Sequence, residues 1–130
     1  MSTTFAIVGT GWRSRFFVRI AAIVPDRMRV SGVVTRTSGR ADQVASEWGV
    51  PAFTTVDDML GSGRPDFVIV SVPWAATPGM TRDLVDRGVA VLAETPPAPD
   101  ADALRALWSD VGSGACDVTV HGVQKRAQSR

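Results

Sequence analysis

Tyrosine is absent from the 130-residue chain, and cysteine and histidine occur once each, as Cys116 and His121. A single thiol leaves nothing to pair with in an intramolecular disulfide, and one thiol with one imidazole cannot supply a thiolate or histidine metal cluster. No metal is expected. Charge of one sign is lacking too: 14 Lys+Arg stand against 13 Asp+Glu, a net charge of +1. Binding to nucleic-acid phosphates or to an anionic bilayer usually draws on a clustered basic excess, so neither nucleic acid nor membrane is an expected partner. No uninterrupted apolar run approaches the ~18–20 residues of a membrane span. The opening Met1-Ser2-Thr3-Thr4-Phe5 lacks the basic-then-apolar order of a secretory signal. The length suits one domain, and the expectation is a cytoplasmic, single-domain protein.

The charge that is present changes character along the chain. Lysine occurs only at Lys125, and beyond Ala115 the bases Lys125, Arg126 and Arg130 face a single acid, Asp117. With the Gly112-Ser113-Gly114 stretch just before it, this break divides the chain into an organised unit, residues 1–111, and a divergent remainder, 112–130. In that remainder Cys116–His121 reads as one edge strand, followed by a polar tail.

Short apolar runs alternate with amphipathic stretches. Thr4–Val8, Met28–Thr35, Pro51–Thr54, Phe67–Val72 and Val89–Ala93 read as strands, most without polar alternation. Between them lie helical patterns: Arg13–Val24, with Phe16, Phe17, Ile20, Ile23 and Val24 as its apolar residues; Thr37 to Trp48, closed by Gly49; Val56–Leu60; Thr77 to Gly88; and Asp100 to Trp108. Thr37, Thr77 and Asp100 read as caps. Strands without polar alternation need helices on both faces, so the fold class is α/β, a doubly wound, mostly parallel, Rossmann-like sheet.

The turn after the first strand is Gly9-Thr10-Gly11-Trp12-Arg13-Ser14, one step from the dinucleotide fingerprint G-x-G-x-x-G/A. Gly9 permits a tight exit, Gly11 lets the backbone approach a diphosphate, and Ser14 is small enough for close helix–strand packing. Unpaired N–H groups and the positive helix end would face the anion. A carboxylate for the ribose 2′-hydroxyl of NAD is expected near the end of the second strand, yet Thr35-Arg36-Thr37-Ser38 stands there, with Arg40 beyond. A guanidinium flanked by hydroxyls suits a 2′-phosphate, which favours NADP(H), with NAD(H) as the other possibility. Arg36 also has a plainer reading as a solvated surface residue. The missing acid argues equally against an S-adenosylmethionine site.

Several segments follow one another in a familiar order. Gly9–Phe17, Val33–Thr37, Trp48-Gly49-Val50-Pro51, Pro65–Pro73 and Val91–Pro96 together resemble the glucose–fructose oxidoreductase/inositol dehydrogenase (Gfo/Idh/MocA) family over about residues 4–108. The resemblance implies an N-terminal Rossmann domain of an NAD(P)-dependent oxidoreductase acting on sugars, cyclitols and related compounds. It implies that Gly9, Thr10, Gly11, Trp12, Arg13 and Ser14 hold the pyrophosphate. Thr35, Arg36 and Thr37 would surround the adenosine ribose, and Ser71, Val72 and Pro73 would border the cofactor.

Departures from the family pattern bear on catalysis. Where the family often has Glu-Lys-Pro, the chain has Glu94-Thr95-Pro96, and a threonine hydroxyl cannot replace an ammonium. Trp74 stands at the family's asparagine and Thr77 at its histidine. Trp74 reads as a stacking residue beside the cofactor or as a core anchor, and Glu94 as a hydroxyl ligand or a strand terminator. No catalytic residue is assigned; His121 and Cys116 lack a paired group. The family's second domain has no counterpart in the sequence. Three functional readings follow: the cofactor-binding domain of an oxidoreductase, incomplete for turnover until another domain or chain supplies the substrate side; a non-catalytic dinucleotide-sensing or interaction module, docking a partner or a second copy through a face including Trp74 and Trp108; and a truncated reading frame.

Overall fold

The computed structural model describes residues 2–93, 100–112, 118–120 and 123–125. Strands and helices alternate from the start: β1 (Thr3–Val8), α1 (Trp12–Ile23), β2 (Met28–Val34), α2 (Ser38–Trp48), β3 (Ala52–Phe53), α3 (Val56–Ser62), β4 (Phe67–Val70), a 3₁₀ turn (Trp74–Ala76), α4 (Thr77–Asp86), β5 (Val91–Ala93), α5 (Ala101–Gly112), β6 (Val118–Val120) and β7 (Val123–Lys125). They build one seven-stranded sheet in the order β3-β2-β1-β4-β5-β6-β7, parallel except for the last pair. This is the doubly wound fold expected from the alternation.

Both faces of the sheet are apolar because successive side chains of each strand point to opposite sides. On one face Phe5, Ile7, Val33 and Ile69 pack with Val18 and Ala21 of α1 and Val44 of α2. On the other, Ala6, Val8, Val68, Val70 and Val91 pack with Val56 and Met59 of α3, Leu84 and Val85 of α4, and Leu107 of α5. A register shift between Phe5 and Ala6 passes over Ser31, whose hydroxyl donates to the Phe5 carbonyl at 3.3 Å. Beside it Gly32 leaves room for the Phe53 ring: a Cβ there would lie 2.6 Å from Phe53 Cε2.

Three local expectations need correction. The face of α1 turned to the sheet is Ser14, Val18 and Ala21, while Phe16 and Ile23 are exposed. Small residues face inward because the helix lies close against the sheet; Phe17 packs half-buried against the same core, and Phe16 and Ile23 are left outside. Thr77 does not cap α4; it is the first helical residue, buried, its hydroxyl donating to the Val72 and Pro73 carbonyls at 3.5 and 3.4 Å. Beyond α5 the described residues form two strands where one was expected: β6 adds in parallel to β5, and residues 123–125 return antiparallel as β7. Two residues separate the two strands, close enough in sequence to pair as neighbours.

Candidate functional site

Where β1, β2 and β4 end, their exits are tied by backbone hydrogen bonds. Gly9 N–H donates to the Val34 carbonyl at 3.0 Å, Ser71 N–H to the Val8 carbonyl at 2.9 Å, and Thr35 N–H to the Phe53 carbonyl at 2.8 Å. β1 stands at the point where the strand order reverses, and a crevice opens there beyond the carboxyl ends. Its volume is about 1050 Å³. Gly9, Thr10, Gly11, Thr35, Arg36, Ser71, Val72 and Pro73 line it, gathering eight of the residues named from the sequence into one cleft.

The turn at Gly9 closes so tightly that a Cβ would fall 1.8 Å from the Ser71 carbonyl oxygen, and its φ of +117° suits glycine alone. Gly11 contrasts with it. Its φ is −70°, and a Cβ would meet nothing within 4 Å. Gly11 is the N-cap of α1; no side chain caps the helix there and no acid stands in its first turn. α2 and α3 are instead capped by the hydroxyls of Thr37 and Thr55, and Asp100 accepts from Ala103 N–H at 2.7 Å at the start of α5. The first turn of α1 thus offers N–H groups, a positive helix end and open space above Gly11, which together fit a diphosphate.

Of the other residues named from the sequence, Trp12, Arg13, Ser14, Thr37 and Arg40 do not line the cleft. Trp12 is 74% exposed with the Arg13 guanidinium 5.1 Å from its ring centroid. Ser14 is fully buried and its hydroxyl has no partner among the described residues. Trp74 opens the 3₁₀ turn. Glu94, Thr95 and Pro96 lie outside the described residues, as do Cys116 and His121.

After β2 the backbone is held by its own hydroxyls. Thr35 Oγ1 donates to the Thr37 carbonyl at 2.8 Å, and Thr37 Oγ1 accepts from Arg40 N–H at 3.2 Å. Arg40 reaches back, donating to the Thr10 carbonyl at 3.2 Å and to Gln43 Oε1 at 2.7 Å, with its guanidinium 5.8 Å from the Trp48 ring centroid. It fastens the start of α2 to the turn after β1. Arg36 is exposed at the cleft and makes no side-chain hydrogen bond or ion pair among the described residues.

Sequence reasoning missed the wall opposite. Thr54, Thr55, Val56 and Asp57, from the exit of β3 and the start of α3, line the cleft with Met80, Asp83 and Arg87 of α4 and its C-cap. The rule that ligands gather at carboxyl ends of parallel strands pointed to the exit of β3, but nothing in the spacing of Asp57 and Arg87 foretells their meeting. Arg87 pairs with Asp57 through Nη1 and with Asp83 through Nε, the latter at 3.2 Å. Those bonds, that to Asp57 foremost, raise the Arg87 pKa above its ordinary value and keep it a cation. Among the described residues no three His, Cys, Asp or Glu side chains gather to hold a metal, and no helix is long and apolar enough to cross a membrane.

Comparison with known proteins bears on the same cleft. Residues 3–121 match the Gfo/Idh/MocA oxidoreductase family, NAD-binding Rossmann fold. The chain is 30% identical over 105 residues to D-xylose 1-dehydrogenase (NADP(+)) 2 of Haloferax volcanii, covering 80% of this chain and 32% of that enzyme. Among solved structures it resembles the WlbA dehydrogenase of Bordetella pertussis in complex with NADH and UDP-GlcNAcA, with a TM-score of 0.82, 19% identity and coverage of 92% of this chain and 37% of that one. The apo scyllo-inositol dehydrogenase of Lactobacillus casei gives a TM-score of 0.78 at 19% identity, covering 92% and 36%. The chain therefore spans about a third of the length of these relatives. The motif order, the doubly wound sheet with its crevice at the strand-order reversal, and the match over residues 3–121 agree: the chain belongs to the Gfo/Idh/MocA oxidoreductase family, as its nicotinamide-dinucleotide-binding Rossmann domain.

Proposed function

We propose that the chain holds NADP(H) in preference to NAD(H) and serves as the cofactor side of an oxidoreductase. The observation that carries this reading is Arg36: a guanidinium at the lip of the cleft, without a side-chain partner among the described residues, next to the β2 exit, where the sequence has no carboxylate. In this reading Gly9, Thr10 and Gly11 border the pyrophosphate, with the first-turn N–H groups of Trp12, Arg13 and Ser14 toward it. Arg36 takes the 2′-phosphate in a charge-assisted contact beside Thr35 and Thr37. Arg40 holds the two loops in register. Ser71, Val72, Pro73 and Trp74 border the rest of the cofactor, with Glu94 after the fifth strand. The name of the xylose dehydrogenase relative, which specifies NADP(+), supports the same preference.

When bound, the nicotinamide ring would exchange a hydride with a small hydroxyl- or carbonyl-bearing compound, and the protein's part is to orient and protonate. The relatives' names (a xylose and an inositol dehydrogenase, and a dehydrogenase in complex with UDP-GlcNAcA) support a sugar or cyclitol as that compound. Thr95 at the family's lysine position supplies no ammonium, so the 130-residue chain by itself is expected to bind without appreciable turnover, with the substrate side supplied by another domain or chain. A cytoplasmic location agrees with a single cysteine that calls for no oxidising compartment. Titration calorimetry with NADPH and NADH tests the reading: tighter NADPH binding is expected, and Arg36→Asp should reverse the order. Unchanged NADPH affinity in that variant would remove the 2′-phosphate role of Arg36.

The exposed Leu104 and Trp108, one turn apart on α5, favour a second reading, a dinucleotide-responsive interaction module. Solution mass with and without NADPH separates the two. A monomer in both states supports the bare cofactor domain, and ligand-dependent association supports the module.

A further inference from the structure

We propose that Arg40 is a positioning residue for the diphosphate turn: it holds the Thr10–Gly11 peptide from outside the cleft, and cofactor affinity depends on that hold. The inference rests on the reading of the cleft as a dinucleotide site and goes beyond it, to a residue that acts through another. Read from the sequence, Arg40 is grouped with Arg36 at the 2′-phosphate. In the fold Arg36 lines the cleft and Arg40 does not.

Thr10 stands between two glycines, and Gly9 takes a φ of +117°. A turn with glycine on either side of one residue has many backbone states open to it, so its shape is set by its ties. Two of these are backbone bonds. Gly9 N–H donates to the Val34 carbonyl at 3.0 Å, and the Gly11 carbonyl accepts from Arg15 N–H at 3.3 Å. Between them the Thr10 carbonyl accepts from Arg40 Nη2 at 3.2 Å, across 30 residues of sequence. A trans peptide is planar, with its C=O and N–H pointing in opposite directions. The bond that orients the Thr10 carbonyl therefore orients the Gly11 N–H too, at the N-cap of α1.

Arg40 is itself braced along α2. Its Nη1 donates to Gln43 Oε1 at 2.7 Å, Gln43 Nε2 donates to Glu47 Oε1 at 3.2 Å, and its guanidinium lies 5.8 Å from the Trp48 ring centroid. All three partners belong to α2, so the guanidinium is held as a projection of that helix toward the turn after β1. A planar fork already held by its own helix loses little freedom in making the Thr10 contact. Without that contact a dinucleotide has to order the turn as it binds, and its affinity falls by that cost.

The test is Arg40→Met, which keeps an unbranched apolar stem and removes the donors. The full 130-residue chain is titrated calorimetrically with NADPH, NADH, ADP-ribose and adenosine 2′-monophosphate. The three ligands with a diphosphate are expected to weaken together, by about five- to tenfold, with the ratio of NADPH to NADH affinity kept within about twofold. Adenosine 2′-monophosphate has no diphosphate and should bind within about twofold of its affinity for the parent. A merely structural role would weaken it too, because Arg36 and Thr37 run directly into α2. An equal loss for all four ligands, or no loss, therefore overturns the inference. So does a loss confined to NADPH and adenosine 2′-monophosphate, which would make Arg40 a ligand of the 2′-phosphate. Thermal melting reports folding separately. Should Met prevent folding, Arg40→Lys, with no planar fork to span Thr10 and Gln43, stands in, and the same pattern at smaller size is its expected result. Failure of the parent chain to bind either dinucleotide overturns the dinucleotide reading itself, a different result from any change on substituting Arg40.

Discussion

A Cβ on Gly9 would collide with the Ser71 carbonyl, and one on Gly11 would hang in open space. The fold demands the first glycine and leaves open space at the second, which in the proposed reading admits the diphosphate. Gly9→Ala is expected to destabilise the chain by more than about 3 kcal/mol, because a forbidden φ adds to a backbone clash that no rotamer relieves. Gly11→Ala should stay within about 1 kcal/mol of the parent in denaturant unfolding. It should nonetheless lose NADPH affinity at least about tenfold by calorimetry, since its methyl fills the approach to the diphosphate. Equal stability losses in the two variants would contradict this division. Thr81 shows the opposite economy: it is fully buried in α4 and its hydroxyl has no partner among the described residues. Thr81→Val keeps the shape and removes the stranded hydroxyl, and should stabilise by about 1 kcal/mol, raising Tm by roughly 4 °C. A lower Tm by calorimetric melting would show that the hydroxyl is used.

At the scale of elements, the strands were the more legible part of the sequence. Phe67–Val70 and Thr4–Val8 could be buried only within a covered sheet, and Gly49, at φ +67°, ends α2 where its position suggested. The orientation of α1 was misread because hydrophobicity was taken as the measure of burial. Close packing against the sheet selects small side chains at Ser14 and Ala21, and Trp12, Phe16 and Ile23 turn outward. The Thr77 hydroxyl was misread for a related reason: a threonine before a proline looks like a cap, but the β4–α4 connection already contains a 3₁₀ turn, and the hydroxyl binds back to the carbonyls of Val72 and Pro73. The α3–α4 wall of the cleft was invisible because Asp57 and Arg87 are 30 residues apart and meet only when two helices pack. A pair of substitutions checks the orientation of α1. Ala21→Leu adds volume to a packed interface and should cost about 1–3 kcal/mol, whereas Ile23→Lys should change stability by less than about 0.5 kcal/mol. Urea unfolding of both variants reads the difference directly, and a large cost for Ile23→Lys would mean that residue is covered.

For the molecule as a whole, the alternation of strand and helix foretold a crevice at the carboxyl ends, and the order β3-β2-β1-β4-β5-β6 places it beside β1. The antiparallel β7 carried no comparable signal, being three residues of mixed polarity. Charge at this scale bears on the cofactor. With a net charge of +1, the chain exerts little long-range pull on a polyanion, so any preference for the extra phosphate of NADPH has to arise locally, at Arg36. That guanidinium is exposed, and exposed pairs are screened as the Debye length falls from about 10 Å at 0.1 M salt to about 3 Å at 1 M. NADPH should therefore lose its advantage over NADH as salt rises. Both affinities fall through the shared pyrophosphate, and the ratio falls further, by several-fold. Acid should act in the same direction, since a phosphate monoester gains a proton near pH ~6 and the dianion gives way to a monoanion below it. Titrating both cofactors at low and high salt, and again at pH 7.5 and about 5.5, separates this from a preference set by shape. A ratio indifferent to salt and acid would mean that the 2′-phosphate is held by something other than the arginine at the lip of the cleft.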